Sequence, residues 1–244
     1  MTKTILSFTF IATLFVACIN EKSITDSNQI VETGNEITKT ISLAEFDKID
    51  LSGTDNITIK QGPIQEIVVT GHENIIERLN RKVENNEWKV TLSKGNYKKC
   101  HLKIFITVPS IQQLKLTGVG DINLEHFDQL NELTLLLDGV GDINCNNLEP
   151  INQLNATLNG VGDFNFDNCK TINKLELKQN GVGDFNAFST ETTVANIHLS
   201  GTGDCHVKVT SKLDAKLSGV GDINYKGNPQ VNQKITGSGK IIKR

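Results

Sequence analysis

Gly118-Val119-Gly120-Asp121-Ile122-Asn123 is the stretch on which the fold turns, because the chain repeats it. It returns as Gly139-Val140-Gly141-Asp142-Ile143-Asn144, as Gly160-Val161-Gly162-Asp163-Phe164-Asn165 and as Gly181-Val182-Gly183-Asp184-Phe185-Asn186. A looser copy follows at Gly201-Thr202-Gly203-Asp204-Cys205-His206, and the first form returns at Gly219-Val220-Gly221-Asp222-Ile223-Asn224. A worn one, Gly237-Ser238-Gly239-Lys240, ends the series. The first glycines step by 21, 21, 21, 20, 18 and 18 residues. A fixed period of this size marks a repeat architecture.

Working outward, the residues two, four and six places before the first glycine are apolar: Leu154, Ala156 and Leu158 in one copy, Ala195, Ile197 and Leu199 in another. Strict alternation predicts a strand with one buried face. The residue just before the glycine is small and polar (Thr117, Asp138, Asn159, Asn180, Ser200, Ser218, Thr236), as turns favour. The glycines themselves suit positive φ or a close backbone approach. After the turn alternation resumes, with Ile122, Ile143, Phe164, Phe185, Cys205 and Ile223 at one station and Leu124, Cys145, Phe166, Ala187, Val207 and Tyr225 at the next. The longer copies add Phe127, Leu148 and Cys169, then Leu130, Ile151 and Ile172. No single copy buries its apolar side alone, so the copies must stack. The expected fold is all-β, a right-handed parallel β-helix with coils of about 18–24 residues, about 4.8 Å apart.

The chain opens with Lys3 and an apolar run from Ile5 to Ala17, too short to span a bilayer as a helix. The run ends at Phe15-Val16-Ala17-Cys18, which resembles a bacterial lipobox with Phe15 where Leu is usual. That resemblance implies a signal peptide over 1–17 and lipidation of Cys18. A polar tether is expected over 18–38, and the β-helix domain over 39–244. The chain carries 25 Lys and Arg against 28 Asp and Glu. Without Lys3 the balance is 24 − 28 = −4, which argues against nucleic acid as a partner.

From about Ile41 the repeat reads in degenerate form: Ile49 and Leu51 precede Ser52-Gly53-Thr54-Asp55, Ile67 and Val69 precede Thr70-Gly71, and Trp88 and Val90 precede Gly95. Ile75, Ile76 and Leu79 have the spacing of a short helix that interrupts the coil or caps its end. Phe46-Asp47-Lys48-Ile49 with Ser52-Gly53, the iterated Gly-x-Gly-Asp and the ending Lys234-Ile235-Thr236-Gly237-Ser238-Gly239 resemble the GIN-domain family over residues 40 to 244. Its members are described as auto-transporter adhesin heads, and also as a domain of unknown function, common in lipoproteins of Bacteroidetes. The resemblance implies an exported, membrane-anchored lipoprotein at the outer membrane or surface of a Gram-negative cell. It brings no catalytic residues with it.

Asp121, Asp142, Asp163, Asp184, Asp204 and Asp222 are expected to stack in one column, where neighbouring carboxylates repel by ~1 kcal/mol even in water. Two arrangements relieve this: a row of calcium ions, or turn amides donated to each carboxylate. Calcium-binding β-helices use two tight turns per short coil, whereas this chain has one turn per coil and its Asp adjoins the second glycine. No other cofactor is expected. Asn123, Asn144, Asn165, Asn186 and Asn224 form a second column, interrupted by His206, that serves either as a hydrogen-bonded ladder or as a face for sugar hydroxyls. Cys145, Cys169 and Cys205 stand at apolar stations and are expected as buried thiols; Cys100 is left unplaced. Asp204-Cys205-His206 does not read as catalytic, because strand neighbours face opposite ways. The reading is an adhesion module for a glycan or surface protein, without catalysis. A polysaccharide-acting β-helix enzyme and a purely structural envelope protein are the alternatives.

Overall fold

The structure, a computed structural model, describes residues 29–128 and 130–244. The expected signal peptide over 1–17 and the expected lipidation site Cys18 lie outside the described residues. The repeats stack as a β-solenoid of about six turns, with two parallel ladders running its length. One ladder joins Gln113–Leu116, Leu130–Leu137, Ile151–Leu158 and Thr171–Gln179 in register, then passes through the later halves of Phe185–Leu199 and Cys205–Leu217 to Gln230–Ile235. The other joins Ile122–Glu125, Ile143–Asn146 and Phe164–Asp167, then the earlier halves of the same long strands, then Ile223–Lys226 and Ile241–Lys243.

The register is set by side-chain alternation, which leaves a strand only one way to bury its apolar set. Leu154, Ala156 and Leu158 point inward from one ladder, Phe164 and Phe166 from the other, and all are buried. Phe185 packs on both phenylalanines below it, with ring centroids 6.3 and 5.3 Å away. Each fully buried Leu or Phe contributes ~1.5–3 kcal/mol, so stacking a coil gains far more than any coil makes alone. Phe127, Leu148 and Cys169 close the third side of the longer coils. At the corner before them His126, Asn147 and Asn168 take left-handed φ of 57, 54 and 53°, where Asn is well tolerated. In the 20- and 18-residue coils this side shrinks to register shifts between Ala187/Glu191 and Thr192/Val194. Gln179 stands in the column of Leu116, Leu137 and Leu158; its Nε2 donates to the Gly183 carbonyl and its Oε1 has no partner among the described residues.

The first sixty or so domain residues depart from the expected simple succession. The strand pair Lys48–Leu51 and Asn56–Gln61 lies directly beneath the first regular coil. Beneath it lies a pair from later in the chain, Glu87–Val90 and Lys103–Val108. Residues Glu66–His72, read as one more degenerate repeat, instead run antiparallel against Lys103–Val108, and Glu36–Ile41 runs antiparallel against Glu66–His72. The helix Glu73–Ile76 follows, with Ile75 and Ile76 buried. The stack is therefore closed at this end by antiparallel strands, which turn aside the open edge of the parallel ladder. Residues 29–38, expected in the tether, belong to this closure: Gln29–Val31 pairs with Asn96–Lys98, and Glu36–Ile41 is the outer strand. The alternation of Ile37 and Ile41 with threonine and lysine makes such pairing favourable.

Candidate functional site

The surface feature that repeats most faithfully is the corner between the two ladders. The first glycine of each copy lies so close to the coil below that a Cβ on Gly160 would sit 2.1 Å from the Gly139 carbonyl. The second is held at positive φ, +142° at Gly162, and a Cβ there would sit 1.9 Å from the Gly141 carbonyl. Between them the valine amide donates to the glycine below, as Val140 to Gly118 and Val161 to Gly139, each at 2.9 Å. Its carbonyl accepts from the second glycine of that lower coil, Gly120 to Val140 and Gly141 to Val161, each at 3.0 Å. The corner spends its backbone groups along the axis and turns only the valine side chain outward.

The aspartates follow. The Asp142 amide donates to Oδ1 of Asp121 at 3.0 Å, Asp163 to Asp142 at 2.8 Å, and Asp184 to Asp163 at 2.7 Å. The chain of bonds continues from Asp204 to Asp184 and from Asp222 to Asp204, both at 2.7 Å, and ends with Lys240 donating to Asp222 at 2.8 Å. At its base Asn56 Oδ1 takes the same place under the Asp121 amide, at 2.8 Å. Each carboxylate thus accepts a backbone N–H of the next coil, a charge-assisted bond that offsets the repulsion along the column. Among the described residues no three His, Cys, Asp or Glu side chains are grouped as a metal would require.

The asparagines form the next ladder. Asn144 Nδ2 donates to Asn123 Oδ1 at 3.1 Å, and Asn165 to Asn144 and Asn186 to Asn165 at 2.9 Å. All four are half-buried, and each amide keeps further hydrogen-bonding capacity toward solvent. Asn224 is separated from them and buried, with its Oδ1 accepting from Arg244 Nε at 2.7 Å. Between them His206 packs edge-on against Phe188, 4.9 Å between centroids, and Lys226 Nζ lies 4.3 Å from the centre of the same ring. A third ladder flanks the corner's other side, where Asn159 donates to Asp138 at 2.7 Å and Asn180 to Asn159 at 2.8 Å.

Two features escaped the sequence reading. The valines of the corner are half exposed, from 49% at Val140 to 54% at Val220, and bridge to one another coil by coil. The sequence places each between the two glycines of its copy, the only available signal. Below the lowest corner, Ser52, Gly53, Thr54 and Asp55 face the segment Thr91–His101 across a cleft of about 390 Å³. Burial pushes the Asp55 carboxyl above its ordinary range, against the opposing pull of the Leu102 amide and His101. Among the described residues Cys100, Cys145, Cys169 and Cys205 form no disulfide and are buried, and burial pushes the Cys169 thiol up to about 11. Cys205 and His206 diverge as the strand requires, inward and outward.

The family described as "Putative auto-transporter adhesin, head GIN domain" matches residues 45–229. A "putative adhesin" of Bacteroides fragilis has the same fold, with a TM-score of 0.78 at 28% identity over 88% of this chain and all of that one. A "putative lipid binding protein" and a "putative adhesin" of Parabacteroides distasonis share the fold at 22% and 17% identity. Their TM-scores are 0.66 and 0.62, and each aligns over 89% of this chain and all of its own. No curated protein matches the chain.

Proposed function

The chain belongs to the family of auto-transporter adhesin head GIN domains, and on that footing we propose that it is a non-catalytic binding module of a bacterial cell envelope. It is held there by a lipid on Cys18, and its ligand is a surface glycan. The observation that carries this reading is that the outward polar groups are iterated from coil to coil rather than gathered on one. An array of Asn123, Asn144, Asn165 and Asn186 beside the aspartate column offers carboxamide and carboxylate groups at strand spacing, the chemistry that meets sugar hydroxyls. Each group binds weakly, and the sum over coils provides avidity.

A glycan array probed with the purified chain tests the ligand. Asn165→Ala should weaken the bound glycans about fivefold or more, while Lys178→Ala, on the outward face of the other ladder, should leave them unchanged. Equal loss in both variants, or none in either, refutes the assigned face. For the anchor, Cys18→Ser should abolish fatty-acid labelling; labelling that persists in the variant rules out lipid at that residue.

A further inference from the structure

The lowest corner of the stack is built differently from those above it. Residues 52–55 lie in register beneath residues 117–120, so Thr54 takes the valine's place and Asp55 that of the second glycine. A side chain fits there because no corner lies below. The strands beneath, Glu87–Val90 and Lys103–Val108, are joined by a detour through residues 91–102 instead of a tight turn. The gap is the cleft of about 390 Å³, inside the range of about 300–1,000 Å³ usual for small-ligand sites. Three polar groups of the corner are unspent there. Among the described residues Ser52 Oγ is buried without a partner, Asp55 uses only Oδ1, and the Thr54 amide, whose counterparts higher up donate to the coil below, finds no acceptor. The opposite wall is cationic. Residues 88–120 hold six lysines and no Asp or Glu, in a chain whose acids outnumber its bases 28 to 25. Lys94, Lys99 and His101 of that stretch line the cleft, and neither lysine has a carboxylate partner among the described residues. Glu32 is already engaged, with Oε1 accepting the His101 amide at 3.0 Å and Oε2 lying 3.6 Å from His72 Nε2. Lys99 also sits at a left-handed φ of 50°, where the other non-glycine residues described are asparagines and one histidine, which tolerate it. A backbone cost borne by one lysine points to a use for its side chain.

We propose that this cleft binds an acidic sugar, a hydroxylated ring that bears a carboxylate. The carboxylate meets Lys94 and Lys99 in charge-assisted bonds. The hydroxyls meet Ser52 Oγ, Asp55 Oδ2 and the Thr54 amide, each of which gains the partner it lacks. The cationic wall opposes an ammonium group, so the donor that reaches Asp55 is a neutral O–H. Tyr97, half-buried with its hydroxyl donating to the Ser93 carbonyl at 2.6 Å, adds an aromatic wall for the C–H face of the ring. A bare phosphate uses the lysines but leaves the corner's groups unmet and sets a second anion beside Asp55. A neutral sugar leaves the lysines unmet. The site shares no residue with the asparagine face, and neither reading requires the other.

Titration calorimetry of the purified chain with glucuronate, galacturonate and N-acetylneuraminate tests the site, with glucose and inorganic phosphate alongside. At least one of the acids should bind saturably, with a Kd of about 1 mM or tighter. Glucose, which lacks the carboxylate, and phosphate, which lacks the ring, should each bind about tenfold or more weakly than that acid. Lys94→Ala with Lys99→Ala, both at exposed positions, should weaken the acid about tenfold or more, while Asn165→Ala should leave it unchanged. Ser52→Ala should weaken it about threefold without lowering the melting temperature, because the hydroxyl it removes has no partner in the protein. Lys99→Gly should bind as weakly as Lys99→Ala yet melt higher than it, since glycine is at ease at that φ. Absence of binding by all three acids overturns the proposal. So does glucose or phosphate binding as tightly as the acid, or an affinity indifferent to the lysine pair.

Discussion

At the residue scale, Asp55 is a carboxyl whose setting opposes its charge. Its side chain is buried at the base of the stack, where Oδ1 accepts the Leu102 amide at 2.8 Å. Burial raises its native pKa above 3.8, so folded protein holds the proton to higher pH than unfolded protein does. Between those two values the native state binds more protons, and stability falls as pH rises through that window. Asp55→Asn keeps the oxygen that accepts the Leu102 amide and removes the charge. It should raise the melting temperature by about a few degrees at pH near 7, and the gain should vanish at about pH 3, where the aspartate is neutral in both states. Thermal melts of both proteins at the two pH values check this.

At the scale of the element, the corner depends on glycine for a backbone reason. At Gly162 a Cβ meets the carbonyl of Gly141 at 1.9 Å, and the φ of +142° is strained for any L-residue. Gly162→Ala should cost about 3 kcal/mol or more, because two coils must part to admit one methyl group. Thr202→Val, one position before a second glycine, should cost nothing measurable, since that side chain points outward. Urea titration distinguishes the two. The corner was legible in the sequence because every copy obeys the same local rule, and so were the inward columns from Leu114 to Leu217 and from Ile122 to Ile223. The closure at the other end was not. Ile67 and Val69 alternate as well as any true coil strand, and alternation fixes which face is buried but not the partner or its direction. The outward valines were missed because exposure of a turn residue depends on how tightly its neighbours pack, and glycine's lack of a side chain reveals that only once coils are stacked. The asparagine ladder was legible as a column, while the isolation of Asn224 under Arg244 came from a C-terminal contact no spacing announces.

At the scale of the molecule, stability is roughly a sum over coils and their interfaces. Deleting residues 139–159 removes one full period and joins Asp138 to Gly160. The register survives: Val161 then donates to Gly118, and the Asp163 amide meets Asp121. The shortened protein should fold, with circular dichroism of unchanged shape and a loss of a few kcal/mol in unfolding free energy. An unfolded product would show that these coils are not interchangeable units. Glycan binding spread over the face should weaken yet persist in that protein, whereas complete loss places the ligand on the missing coil or its neighbours.

The out-of-order base has a consequence in time. The aspartate bonds between regular coils span only 18 to 21 residues, but Asn56 reaches Asp121 across 65. Closing the long loop costs more entropy than adding any later coil, by about 1 kcal/mol, while neighbouring regular coils bond over short loops and can stack on one another first. The base is therefore expected to be the slow step of folding, completed only once residues up to about 125 are available together. A defect at the base should slow folding, and one near the C-terminal coils should chiefly hasten unfolding.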